Sequence, residues 1–220
     1  GNNFQGLGIR CAVNPFTGRE TVLNRETILH KKARAVIVGG GPAGMQAALS
    51  LYSRGLEVTL FEKEAALGGF MNLAAIPPHK EAILALRDYM VGALHKAGIR
   101  TILEHEFTLD DLYEIRPDVL IVASGSTAAR PAITGADLGH CVQALDVLKG
   151  QLKIRNKKVV VIGGGSSGCE IAEYLYGQHN QITIIEKGLS LAADMERKNR
   201  RALMNRLKML KIDIRTGAQV

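Results

Sequence analysis

Six glycines in two matched groups are the residues of this chain best suited to chemistry. Gly39, Gly41 and Gly44 stand in VIVGGGPAG, and Gly163, Gly165 and Gly168 in VVIGGGSSG, so both groups meet the spacing G-x-G-x-x-G. In that spacing the first glycine allows a sharp turn off a strand. The second lets a backbone without Cβ approach a diphosphate, and the third lets the following helix pack against the strand. Unpaired amides at the helix start, at the positive end of its dipole, then face the phosphates. Glu62 and Glu186 each lie eighteen residues beyond the third glycine. A carboxylate there accepts ribose hydroxyls and repels a 2′-phosphate. One such glycine group also serves ordinary turns; here the whole pattern occurs twice in one register.

That register is an internal repeat. Shifting the chain by 124 residues aligns Val36–Gly44 with Val160–Gly168, and Val58–Lys63 (VTLFEK) with Ile182–Lys187 (ITIIEK), without a gap. Two copies so far apart indicate duplicated domains. In each copy a short β-branched run (35–38, 159–162) predicts a strand buried on both faces. A helix-spaced run (43–53, 167–177) and a second strand (58–61, 182–185) follow. Strand, glycine turn, helix and strand make a right-handed βαβ unit with a parallel sheet. The first copy continues with a predicted helix over 79–96 and strands over 100–103 and 118–123. The second continues with a helix over 194–210 and a strand over 212–215. After a short helical segment, 142–148, a boundary is expected near Gly150. The fold class is therefore α/β, with two Rossmann-like units on parallel sheets, the second incomplete. Residues 1–30 form a junction, 31–150 the first unit and 151–220 the second.

Composition narrows the function classes. The chain has 220 residues, 46% hydrophobic and 22% charged, which is ordinary for a folded protein and excludes disorder, collagen and coiled coil. Its longest apolar run, around Val119–Ala123, is too short to span a bilayer, and the start shows no charged-then-apolar leader. No membrane partner is expected. The net charge of +7 comes entirely from the last third: residues 1–150 hold 15 basic and 15 acidic residues, and residues 151–220 hold 13 and 6. Much of the excess lies between Arg197 and Lys211, interleaved with Leu203, Leu207 and Leu210. This reads as a solvated helix face, or as a basic surface for an acidic partner or a cofactor phosphate. Nucleic acid is not expected, because stacking aromatics are scarce there.

Cys11, Cys141 and Cys169 form no CxxC pair, which disfavours disulfide-exchange chemistry and fits a reducing, cytoplasmic setting. Cys169 follows the third glycine of the second turn and is expected to be a small core residue. The six histidines make no HxH or HxxxH cluster. Glu186 favours NAD(H) at the second turn, while Lys187 and the nearby arginines keep NADP(H) open.

Several segments together resemble a known family. Val36–Gly44, Phe61–Lys63, Leu67–Gly69 and Val122–Gly125 look like the FAD-binding part of two-dinucleotide flavoprotein oxidoreductases, with an NAD-binding part following from Lys157. Cys11–Glu20 (CAVNPFTGRE) resembles the junction in the NADH:flavin oxidoreductase, 2,4-dienoyl-CoA reductase and trimethylamine dehydrogenase family. The resemblance implies that Gly39, Gly41, Pro42, Ala43 and Gly44 hold the FAD diphosphate and Glu62 its ribose, with Lys63 and Gly69 alongside. It implies that Ala123, Ser124 and Gly125 close against the cofactor, Ser124 replacing the usual Thr. Gly163, Gly165, Ser166, Ser167, Gly168 and Glu186 would hold NAD(H), with Lys187 beside them.

The resemblance further implies a parent enzyme with a barrel carrying FMN and a four-iron, four-sulfur cluster, of which Cys11 would match one thiolate ligand. Electrons would pass from NAD(P)H to FAD and on through the cluster to FMN. No residue of this chain is expected to act as acid, base or nucleophile. The chain is expected to be a portion of that larger flavoenzyme. The alternatives are an adenine-nucleotide-binding module without catalysis, or a fragment that associates with copies of itself through its unfinished sheet.

Overall fold

The computed structural model describes residues 8–9, 11–23 and 33–220. A short helix α1 (Glu20–Leu23) precedes the first sheet. Ala35, Val36 and Ile37 are at most 1% exposed in β1 (Arg34–Val38), as expected for a strand covered on both faces. From β1 the chain runs through α2 (Pro42–Ser53) to β2 (Glu57–Phe61), α3 (Phe70–Ala74), α4 (Ala82–Lys96) and β3 (Arg100–Ile102). It then passes through α5 (Leu109–Ile115) to β4 (Val119–Val122). The four strands are parallel in the order β3-β2-β1-β4. Met45 and Ala48 of α2 and Met90 and Leu94 of α4 complete a core with Ile37 and Leu60. Each of the larger of these buried side chains contributes roughly 1.5–3 kcal/mol.

The second sheet holds β5 (Lys158–Ile162), β6 (Gln181–Glu186) and β7 (Asp213–Thr216), parallel in the order β5-β6-β7. Helices α6 (Ala144–Leu148), α7 (Ser166–Tyr176) and α8 (Arg197–Met209) accompany it. Leu203 and Leu207 of α8 are buried with Ile171, Ala172 and Leu175 of α7. The Arg206 guanidinium makes two bonds to the Glu173 carboxylate, at 2.6 and 3.0 Å, and ties α8 to α7. Buried Asn180 accepts from the Lys157 amide at 2.9 Å and donates to the Leu175 carbonyl at 2.8 Å, fixing the entry to β5.

Of the described residues, those up to 75 together with 81–126 form one compact unit, and 76–80 with 127–220 form another. The expected division near Gly150 lies later, because Val147 of α6 is packed in the second core. Other boundaries also shift. The helix expected from His79 starts at Ala82, since Pro77 and Pro78 precede it and His79 has φ +66°. The helix expected from Asp194 starts at Arg197 and is capped by Glu196, whose carboxylate accepts from the Lys198 amide at 2.8 Å. Helices α1, α3 and α5 were not expected. Among the described residues no helix is long and apolar enough to cross a membrane.

Candidate functional site: two braced glycine turns

The first turn leaves β1 at Gly39, whose N–H donates to the Phe61 carbonyl at 2.8 Å. Its three motif glycines answer three different demands. Gly39 has φ +107°, and a Cβ there would overlap the Ala123 carbonyl at the end of β4. A Cβ on Gly44 would overlap the Gly39 carbonyl, so only glycine lets α2 sit this close to β1. Gly41 has φ −72° and ψ −179°, which any residue adopts, and no described atom lies within 4 Å of where its Cβ would be. Neither packing nor backbone strain accounts for that glycine.

A carboxylate holds this turn from behind. Glu62, 7% exposed, accepts from the Gly40 amide at 2.6 Å and from the Glu64 amide at 2.9 Å. Leu67 lies over Gly40, and the Gly68 amide donates to the Gly40 carbonyl at 2.9 Å. A Cβ on Gly69 would come within 3.1 Å of the Gly41 Cα, which puts Gly69 against the bare glycine. Two carboxylate oxygens offer about four acceptor sites, so two backbone bonds leave capacity for ribose hydroxyls.

The second turn repeats the brace atom for atom. Gly163 donates to the Ile185 carbonyl at 2.9 Å, and a Cβ on Gly168 would overlap the Gly163 carbonyl. Glu186 accepts from the Gly164 and Gly188 amides, each at 2.6 Å. These bonds, the Gly188 one first, hold its carboxyl below the ordinary carboxylate range. Leu191 covers Gly164, and the Ala192 amide donates to the Gly164 carbonyl at 2.7 Å. Gly165, at φ −63° and ψ 179°, is again unstrained.

Two features differ. Gly163 has φ +99° but no described atom within 4 Å of its Cβ position, whereas Gly39 abuts β4. And Asp194 reaches the start of α7, accepting from the Ser166 amide at 2.9 Å and from the Ser166 hydroxyl at 2.5 Å. These bonds, the hydroxyl one first, hold the Asp194 carboxyl below its usual range.

The expected site residues thus fall into two groups, one at each turn. Pro42, Ala43, Ser166 and Ser167 open α2 and α7. Ala123 meets the first turn through its carbonyl; Ser124 and Gly125 follow it and are exposed. Lys63 and Lys187 are exposed beside the two acids. Cys11, in the N-terminal segment, is exposed, with the Asn14 amide 3.5 Å from its sulfur. Bonds from the Asn14 and then the Val13 amide hold its pKa below that of an ordinary thiol. Among the described residues no three His, Cys, Asp or Glu side chains gather to hold a metal. Cys169 is fully buried, and burial pushes its thiol up to about 11. Sequence reasoning missed Gly40, Gly164, Leu67 and Leu191 as parts of the brace, although all four obey the 124-residue offset. It also missed Asp194, which has no counterpart at that offset.

The chain is similar to known proteins over nearly all of its length. The family described as pyridine nucleotide-disulphide oxidoreductase matches residues 33–220. An NADH oxidase of Thermoanaerobacter brockii is 40% identical over 100% of this chain and 34% of its own length. A bilirubin reductase of Mediterraneibacter gnavus is 31% identical over 96% of the chain and 33% of its own. The solved structure of a 2-naphthoyl-CoA reductase complex superposes with a TM-score of 0.91 at 31% identity, covering 97% of this chain and 32% of that one. The chain spans about a third of the length of the curated relatives it matches.

Proposed function

The chain belongs to the pyridine nucleotide-disulphide oxidoreductase family, and from that premise we propose that it is the dinucleotide-binding portion of an NAD(P)H:flavin oxidoreductase. FAD is assigned to the turn at Gly39–Gly44 and NAD(H) to the turn at Gly163–Gly168. The observation that carries this reading is the pair Gly41 and Gly165: relaxed, extended backbone at which a side chain would meet open space or the tip of Asp194. A glycine kept without strain or crowding fits a surface that a diphosphate must touch.

The chemistry supplied by such a cofactor pair is hydride transfer from nicotinamide to flavin. This chain's part is to bind and orient. Amides of Ala43 and Gly44, and of Ser167 and Gly168, face the anion side of the two helix starts, where Pro42 carries no N–H. Glu62 and Glu186 fix the turns and offer their remaining lone pairs to ribose. Glu186 stays ionised through the neutral range, which disfavours a 2′-phosphate and favours NAD(H) over NADP(H). No side chain is assigned as acid, base or nucleophile.

In the parent, the same reading extends to a four-iron, four-sulfur cluster and FMN. Cys11 would be one of four thiolates, and a single thiolate cannot hold such a cluster; no step of the present reading runs through it. The free cysteines fit a reducing, cytoplasmic setting.

Reconstitution of the chain with FAD tests the proposal. A bound yellow chromophore bleached by NADH is the expected result. A colourless protein that NADH does not titrate would overturn it. ADP or NAD raising Tm with no flavin retained would leave nucleotide binding alone.

A further inference from the structure

We infer that Asp194 occupies the phosphate position of the second turn as an internal anion, so that a dinucleotide diphosphate must displace it and the turn binds its cofactor exchangeably. This rests on the reading that the second turn holds NAD(H). Ser166 is the first residue of α7, and its amide has no acceptor within the helix. A diphosphate seated at this turn uses that end of the helix. Both Ser166 donors are already taken by the two Asp194 oxygens. One of those oxygens also lies 3.6 Å from the Cβ position of Gly165, inside the space that this glycine leaves bare. A carboxylate and a phosphate oxygen cannot share one N–H and one hydroxyl, and their charges repel.

Asp194 is free to leave. It is exposed and precedes α8, whose first amides are capped by Glu196, so its departure uncaps no other helix. Among the described residues the first turn has no such occupant. Phe70 stands at the equivalent position, and α2 opens with Pro42, which has no N–H to hold an anion. The repeat therefore presents one turn that is open and one that is internally neutralised.

Three variants of the full chain, titrated with NADH by calorimetry, test this. Asp194→Asn keeps an acceptor for the Ser166 amide and removes the charge; Asp194→Ala removes the contact entirely. Both are expected to tighten NADH about 3- to 10-fold, as loss of a competing charge requires. A merely structural Asp194 would instead weaken binding in the alanine variant. Gly165→Val, unstrained at its φ, is expected to abolish NADH binding.

If Gly165→Val abolishes binding while neither Asp194 variant tightens it beyond twofold, the Asp194 inference alone falls. If Gly165→Val binds NADH like the parent chain, or no form binds it, the assignment of NAD(H) to this turn falls and the inference with it. Binding seen in Asp194→Asn but not in the parent chain would support the inference.

Discussion

The two glycine turns share a brace but differ in what faces their helix starts. Behind each turn the same parts recur at one offset: Glu62 or Glu186 on the middle amide, Leu67 or Leu191 over it, and a backbone bond from Gly68 or Ala192 to its carbonyl. In front, the first turn adjoins the end of β4 and opens on a proline, while at the second no described atom covers Gly163 and Asp194 is held there. The repeat thus keeps what shapes a turn and differs in what faces the helix start. The strongest test of the shared part is Gly44→Ala beside Gly168→Ala. Each Cβ would overlap a backbone carbonyl, which cannot swing aside, so both should lose about 3 kcal/mol or more in denaturant unfolding. A mild effect in one copy alone would show that the two helices are not equally close-packed.

Gly41→Val separates binding from folding. Its φ is ordinary and no described atom crowds its Cβ position, so the change should cost only about 1 kcal/mol in denaturant unfolding, from a weakened helix N-cap. Affinity for FAD or ADP at the first turn should nonetheless fall about 100-fold, as expected where a diphosphate is pushed off backbone amides. Unchanged affinity would mean that the first turn does not hold the diphosphate.

Gly39→Ala against Gly163→Ala probes the difference in cover. Both glycines have positive φ, but only at Gly39 would the new Cβ overlap a carbonyl, that of Ala123. Strain is common to both, so Gly39→Ala should cost more by about 2 kcal/mol in urea unfolding. Glu62→Gln against Glu186→Gln is a gentler version of the same contrast. A glutamine can accept one of the two amides but turns its own N–H₂ toward the other. At buried Glu62 this should cost about 1–2 kcal/mol, and less at half-buried Glu186, where water reaches the orphaned amide.

Sequence alone made β1, β2, β5 and β6, the glycines and the acids legible, because each is a local pattern stated twice. The brace was legible in principle: Leu67 and Leu191 sit at the repeat offset, but their role depends on a loop folding back over Gly40 and Gly164, which spacing does not encode. Helix α5 carried a readable signal, since Thr108 and Asp111 form a reciprocal cap, the Thr108 amide donating to the Asp111 carboxylate at 2.7 Å. Helix α4 was placed three residues too early because His79, its expected first residue, has positive φ, which spacing does not mark. Asp194 was beyond reach. It meets Ser166 across 28 residues of sequence, and nothing in its neighbourhood marks it as a partner of a helix start.

The smallest expected effect concerns acid. Glu186 accepts two amide bonds that only its ionised form rewards fully, which is why its folded pKa lies below the ordinary 4.5. For a carboxylate lowered in this way, the stabilisation is fully present above the unfolded value and is lost as pH falls through the folded one. The stability difference between the parent chain and Glu186→Gln should therefore be flat from neutral pH down to about pH 5 and shrink only below 4.5. Carboxyl carbon shifts followed by NMR would place the Glu186 midpoint directly. A midpoint at or above 4.5 would mean that the Gly164 and Gly188 bonds do not persist in solution, and the second brace would then be looser than the first.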